Sequence, residues 1–141
     1  MELRVKLTDG APLPKHAKDG DAGLDLTVRE PTIIPPNDVV MVGTGVAAEI
    51  PKGHVGLVFP RSGLASKKQV TLANCVGVID SGYRGEIKAP LYNFGDRYRM
   101  LSAGERVCQL VVMPYVTCEC VEVESLSETE RGEGGFGSTG A

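Results

Sequence analysis

The chain is cut into short pieces by its own turn signals, and this limits its fold more than any other feature. Pro35-Pro36, Gly43-Thr44-Gly45 and Pro51-Lys52-Gly53 separate brief runs of β-branched and apolar residues. Gly 18 and Pro 9 in 141 residues leave no room for long helices. A helical bundle is thereby excluded, and the 42% hydrophobic content excludes a disordered chain. The length suits one domain with a real core.

The apolar runs read as strands. They are residues 2–7, 39–42, 46–50, 54–59, 70–72, 76–79, 86–92, 106–113 and 117–123. Turn signals about every ten residues predict an all-β sandwich, jelly roll or barrel-like fold. Residues 62–68 form the best helix candidate, and so short a helix must lean on the sheets. Residues 76–79 and 86–89 read as the arms of a β-hairpin with a polar tip.

Lys+Arg 15 against Asp+Glu 18 gives a net charge of −3, which argues against a basic nucleic-acid-binding surface. No apolar run is long enough for a membrane span, and the first residues carry no signal-peptide pattern. Cys75, Cys108, Cys118 and Cys120 form no CxxC pair and have no histidine cluster beside them. They read as free thiols in a reducing cytoplasm. Cys118 and Cys120, two apart in a strand-like run, are expected on one face.

Several segments carry polar groups that permit chemistry, and each also has a plainer reading. Gly20 to Leu26 holds Asp21 and Asp25 in a glycine-rich loop entering a strand, where Asp commonly caps its own turn. Pro60-Arg61-Ser62-Gly63 opens the short helix. Arg61 and Ser62 there either cradle a phosphate or serve as a surface ion pair and an N-cap. Asp80 at the hairpin tip is a turn former or a functional carboxylate beside the ring of Tyr83. Asn74, on the adjoining strand, offers a donor and an acceptor suited to a nucleobase edge. Gln109 lies between apolar positions and either faces solvent or reaches a ligand. Lys67 and Lys68 read as a solvated helix end.

Residues 131–141 contain five glycines and the spacing Gly135-x-Gly137-x-x-Gly140. A dinucleotide fingerprint needs a strand before it and a helix after it inside a βαβ unit, and with Ala141 directly after Gly140 that reading is not expected here. Composition alone suggests a flexible tail. The alternative is a segment that wraps a phosphate chain with backbone N–H groups, Ser138, Thr139 and Arg131, while Phe136 covers an aromatic ring.

Taken together and in order, DAGLDL (21–26), PRSGLA (60–65), NCVGVIDSGYRGE (74–86), GERVCQL (104–110) and RGEGGFGSTG (131–140) resemble the five motifs of the trimeric dUTPase family. The resemblance spans nearly the whole chain. It implies an all-β, jelly-roll-like (β-clip type) fold with one short helix, assembled as a homotrimer whose active sites are each built from all three chains. It implies hydrolysis of dUTP to dUMP and pyrophosphate with Mg²⁺, in the cytoplasm, with no nucleic-acid or membrane partner. Residues 1–130 would be the β-domain and 131–141 a glycine-rich lid.

By the same resemblance, Asp80 is the general base that activates the attacking water. Tyr83 packs under the deoxyribose, and Asn74 and the neighbouring backbone read uracil, with Gly77 a small residue beside them. Arg61, Ser62, Gly63 and Gln109 contact phosphates. Asp25 connects through water to a Mg²⁺ held mainly by the substrate phosphates. Arg131 reaches the γ-phosphate, Phe136 stacks over uracil, and Gly137, Ser138 and Thr139 contribute further tail contacts. Gly82 departs from the family, which often has an acidic residue there. Two rivals stand beside this reading. A dCTP deaminase-like relative is disfavoured by Tyr83 and the complete tail. A dUTP-binding regulatory protein would use the same residues.

Overall fold

The computed structural model describes residues 1–8 and 10–135. Eleven strands and one helix follow in order: β1 (Arg4–Leu7), β2 (Leu24–Thr27), β3 (Thr32–Ile34), β4 (Val39–Gly43), β5 (Val46–Glu49), β6 (His54–Pro60), α1 (Ser62–Lys68), β7 (Val70–Leu72), β8 (Gly77–Ile79), β9 (Lys88–Asn93), β10 (Arg99–Leu101) and β11 (Arg106–Pro114). The expected all-β, jelly-roll-like class with one short helix is present. Every ladder is antiparallel, in sheets ordered β2-β11-β6-β8, β4-β9-β7, β1-β5 and β10-β3.

One core joins these small sheets. Leu26, Val58, Val107 and Leu110 of the four-stranded sheet pack with Ile34, Val70, Leu72, Ala89, Leu91 and Leu101 of the others. Along β6, β7 and β9 the buried side chains alternate with less buried ones, the two-residue period of a half-buried strand. α1 buries Leu64 and ends where Gln69 enters the left-handed region at φ 55°. The Gln69 N–H donates to Ala65 O, which closes the last turn.

Four sequence expectations are corrected. Residues 76–79 and 86–89 do not pair as a hairpin. β8 adds to β6, with Gly56 opposite Ile79 and Val58 opposite Gly77, while β9 lies between β4 and β7. The chain at 80–87 therefore crosses from one sheet to another. Residues 117–123 form no strand in the described chain and are exposed, so Cys118 and Cys120 share no strand face. β3 and β10 pair with each other, although neither stands out in the sequence. Lys68 is not a solvated helix end: its Nζ lies 2.5 Å from Glu105 Oε1 and also donates to Met100 O. All four cysteines are free.

Candidate functional site

A cleft of about 340 Å³ opens where β2, β6 and β11 meet the start of α1. It is lined by Asp21, Gly23, Asp25, Arg61, Ser62 and Gln109, among others. Sheet register explains this gathering. Asp25 lies opposite Gln109, and Gln109 lies opposite Phe59. Directly opposed residues share a face, so all three project to the same side. Phe59 is followed by Pro60, which ends β6, and Arg61 then holds an extended backbone at φ −102° before the helix begins.

Asp25 anchors the cleft. Its side chain is only 14% exposed, and both carboxylate oxygens are engaged. Arg61 Nε lies 2.9 Å from Oδ1, and Arg106 Nη1 lies 3.0 Å from Oδ2. Two guanidinium groups on one carboxylate leave net positive charge at the cleft wall, which suits an anionic ligand. The plainer reading of this aspartate as a simple turn former does not hold. It does hold for Asp21, whose Oδ2 accepts the Lys18 N–H at 2.9 Å.

Arg106 had no role in the sequence reading, because a regular strand would point it away from Gln109. Residues three apart on a strand face opposite sides. Here a β-bulge intervenes: Arg106 opposes Thr27, Cys108 opposes Leu26, and Gln109 opposes Asp25. The extra residue, Val107, is buried beside Cys108, and the bulge turns both Arg106 and Gln109 toward Asp25. The one available signal was the pairing of two polar residues at this spacing within an apolar strand.

Gln109 reaches into the cleft rather than open solvent. Its Nε2 donates to Pro60 O at 3.2 Å. Gly23 makes room for it, since a β-carbon there would come within 3.0 Å of Gln109 Cδ and 3.1 Å of its Cβ. Ser62 is not the N-cap: Arg61 occupies that position, with no side-chain cap bond. The Ser62 side chain faces the cleft as an exposed hydroxyl.

Cys108 lies behind the cleft, fully buried. Burial pushes its thiol up to about 12, and the Asp25 charge adds to the effect. It is a packing residue with no thiolate at neutral pH.

The second group of expected residues sits elsewhere on the same sheet. Asn74, Gly77, Asp80 and Tyr83 belong to β8 and its flanks, and none lines the cleft. A β-carbon on Gly77 would meet Val58 Cβ at 3.3 Å and Asn74 Nδ2 at 3.5 Å, so the Asn74 amide lies against this glycine. Asp80 is exposed, and its carbonyl accepts the Tyr83 N–H at 3.0 Å. Arg84 Nη1 donates to Ser81 O at 2.7 Å and Tyr83 O at 2.9 Å, bracing the turn, and Nη2 approaches Glu49 of β5 at 3.5 Å. The Gly82 position opens onto empty space.

Within the second group, the Asp80–Tyr83 turn lies toward the start of β6, whereas Gly77, opposite Val58, lies nearer its end. Ile79, just before Asp80, pairs with Gly56 near the start of the strand, whereas Arg61 follows its last residue. Five residues of strand separate Gly56 from Arg61, roughly 16 Å. Arg131 is exposed and its Nε donates to Gly134 O at 2.9 Å. Phe136, Gly137, Ser138 and Thr139 lie outside the described residues. Among the described residues, no cluster of three or more His, Cys, Asp or Glu side chains could hold a metal ion, and no helix is long and apolar enough to cross a membrane.

Comparison with known proteins places this geometry in a family. The dUTPase family model matches residues 9–140. The chain is 48% identical to a deoxyuridine 5'-triphosphate nucleotidohydrolase of Hydrogenobaculum sp., covering 99% of each chain. It is 47% identical to one of Nocardia farcinica, covering 96% of this chain and 82% of that one. In structure it resembles the dUTPase of Staphylococcus bacteriophage 80alpha, determined with dUPNHPP, at a TM-score of 0.92 with 32% identity over 99% of each chain. The five spaced motifs, the all-β fold and these likenesses agree: the chain belongs to the dUTPase family of enzymes.

Proposed function

We propose that this protein hydrolyses dUTP to dUMP and pyrophosphate, in active sites shared between the chains of a homotrimer. The observation that carries the reading is the division of the site. The cationic cleft of Arg61, Ser62, Gly63 and Gln109 suits a phosphate chain, and the Asp80–Tyr83 turn with Asn74 suits a nucleoside. Both adjoin one sheet, but the Asp80–Tyr83 turn is about 16 Å from Arg61 along β6. In this reading the turn that closes on the nucleoside comes from another copy of the chain. A row of apolar side chains on the outer face of the same sheet, partly buried except at Val78, supports such assembly. Val78 opposes Leu57, which opposes Val111, and Val78 is 63% exposed.

In this reading Asn74 and the backbone around Gly77 hydrogen-bond uracil, and cytosine would leave those groups unpaired. Tyr83 packs against the deoxyribose, where a 2′-hydroxyl would collide. Asp80, an exposed carboxylate, takes a proton from the water that attacks the α-phosphorus, a role worth about 10²–10⁴-fold. Arg61, Ser62 and Gln109 are donors fixed before the reaction, and they stabilise charge as it builds on the phosphates. Arg131, Phe136, Gly137, Ser138 and Thr139 close over the nucleotide.

The residues present suit Mg²⁺ bound mainly by substrate oxygens. Mg²⁺ keeps several waters and needs one or two carboxylates at most. Asp25 has both oxygens committed to arginines, which is compatible with a link through water. When bound, the ion would neutralise charge on the leaving pyrophosphate.

A pyrophosphate-release assay with Mg²⁺ and dUTP, dCTP, dTTP or UTP tests the reading. Turnover should be confined largely to dUTP, and equal rates on dCTP would overturn it. Asp80→Asn should retain dUTP binding and lose kcat by about 10²-fold or more. Near-normal kcat in that variant would remove Asp80 from the role of base.

A further inference from the structure

The ring of Tyr83 occupies the space a side chain on Gly85 would need. A β-carbon on Gly85 would lie 2.6 Å from Tyr83 Cζ and 2.9 Å from Cε2, well inside contact distance. Gly85 is not among the glycines with positive φ, so its backbone accepts an L side chain without strain. The three atoms nearest to such a β-carbon all belong to the Tyr83 ring and its hydroxyl.

The tip of the ring is held as well. The Tyr83 hydroxyl donates to Glu86 O at 2.9 Å. Glu86 is itself fixed, because its Oε1 accepts the Gly45 N–H at 2.8 Å. The next residue, Ile87, is buried; its N–H donates to Val46 O, and its carbonyl accepts the Thr44 hydroxyl at 2.7 Å. Tyr83 is 44% exposed, yet its ring is seated against a rigid part of the fold.

We propose that Gly85 is a specificity-determining position: its missing side chain sets the depth of the Tyr83 ring, and so how firmly a ribose 2′-hydroxyl is refused. The inference rests on the functional reading above, in which this ring faces the sugar. A methyl group at 85 would strike the far end of a side chain with two rotatable bonds, not backbone. The fold therefore accommodates the change by tilting the ring, and the tilt alters the space at the sugar. Discrimination by a steric fit of about one small group is worth roughly 10- to 200-fold, and a small displacement of the wall erodes it.

The test compares kcat/KM for dUTP and UTP, with Mg²⁺, in the wild-type protein, Gly85→Ala and Tyr83→Phe. Far-UV circular dichroism and thermal unfolding report the fold. Gly85→Ala should remain folded and lower the dUTP-to-UTP ratio by about tenfold or more. A ratio equal to that of the wild type, whether or not both rates fall together, overturns the inference. Should Gly85→Ala not fold, Tyr83→Phe carries the test, since it releases the ring tip without adding volume. Its ratio should fall roughly two- to tenfold, and an unchanged ratio overturns the inference. A wild-type protein with no preference for dUTP over UTP would overturn the functional reading itself, a result distinct from failure at Gly85.

Discussion

Asp25 and Gln109 are register partners across β2 and β11, and each is held by a further contact on the cleft side of the sheet. Asp25 takes Arg61 and Arg106 on its two oxygens, and Gln109 donates to the carbonyl of Pro60. A ladder pair thus fixes an acceptor-rich and a donor-bearing side chain side by side. Positioning them costs little at the moment of binding, because the sheet has already ordered both.

Gly23 leaves the space that the Gln109 side chain fills. Gly23→Ala should push Gln109 aside and raise KM for dUTP about tenfold, while the urea midpoint changes little. The measurement is steady-state kinetics beside equilibrium unfolding. The expected size corresponds to loss of about one hydrogen bond to a charged group. An unchanged KM would show that Gln109 does not meet the phosphates.

Asp25→Asn removes the charge that two guanidinium groups share. Arg106 is half exposed, so solvent screens part of that loss. The variant should unfold about 1–2 kcal/mol more easily, measured as a lower urea midpoint at constant slope. Addition of salt should narrow the gap from the wild type.

Cys108 should resist alkylation in the folded protein at neutral pH, while Cys75, Cys118 and Cys120 react. Mass spectrometry after iodoacetamide treatment, with and without denaturant, distinguishes them. The same burial has a pH consequence. The thiol titrates from an ordinary value of 9.0 when unfolded and about 12 when folded. Between these values the folded state binds more protons, so its stability is intact below about pH 9 and declines as pH rises toward 12. Cys108→Ser should show a weaker decline over that window in pH-dependent unfolding.

Deleting residues 131–141 should leave a folded protein, because among the described residues every buried core residue lies between Leu26 and Leu110. The thermal midpoint should shift by no more than a few degrees, and turnover of dUTP should fall by about 10²-fold or more. Full activity in the truncated protein would show that the tail does not close over the nucleotide.

Much of this protein was legible from residue order. Turn signals delimited α1 and β7 to the residue and placed β4, β5, β6 and β11 within a residue or two, because local backbone chemistry decides where short strands stop. The motif residues Arg61, Ser62, Asp80 and Tyr83 could be named for the same reason: their chemistry is a property of the side chains themselves. The apolar run at 117–123 looked equally strand-like, but a strand needs a partner ladder, and none exists for it among the described residues.

Pairing and facing were decided by the tertiary structure alone. Nothing local tells β8 to join β6 rather than β9, and that choice separates Asp80 from the cationic cleft. Nothing in a two-residue period puts Arg106 and Gln109 on one face; the bulge at Val107 does, because burying Val107 and Cys108 together outweighs regular alternation there. Residue order sets which groups are available and where the chain turns. Long-range packing determined which of those groups meet, since a ladder's register is set by the core it must bury and not by the strand's own residues.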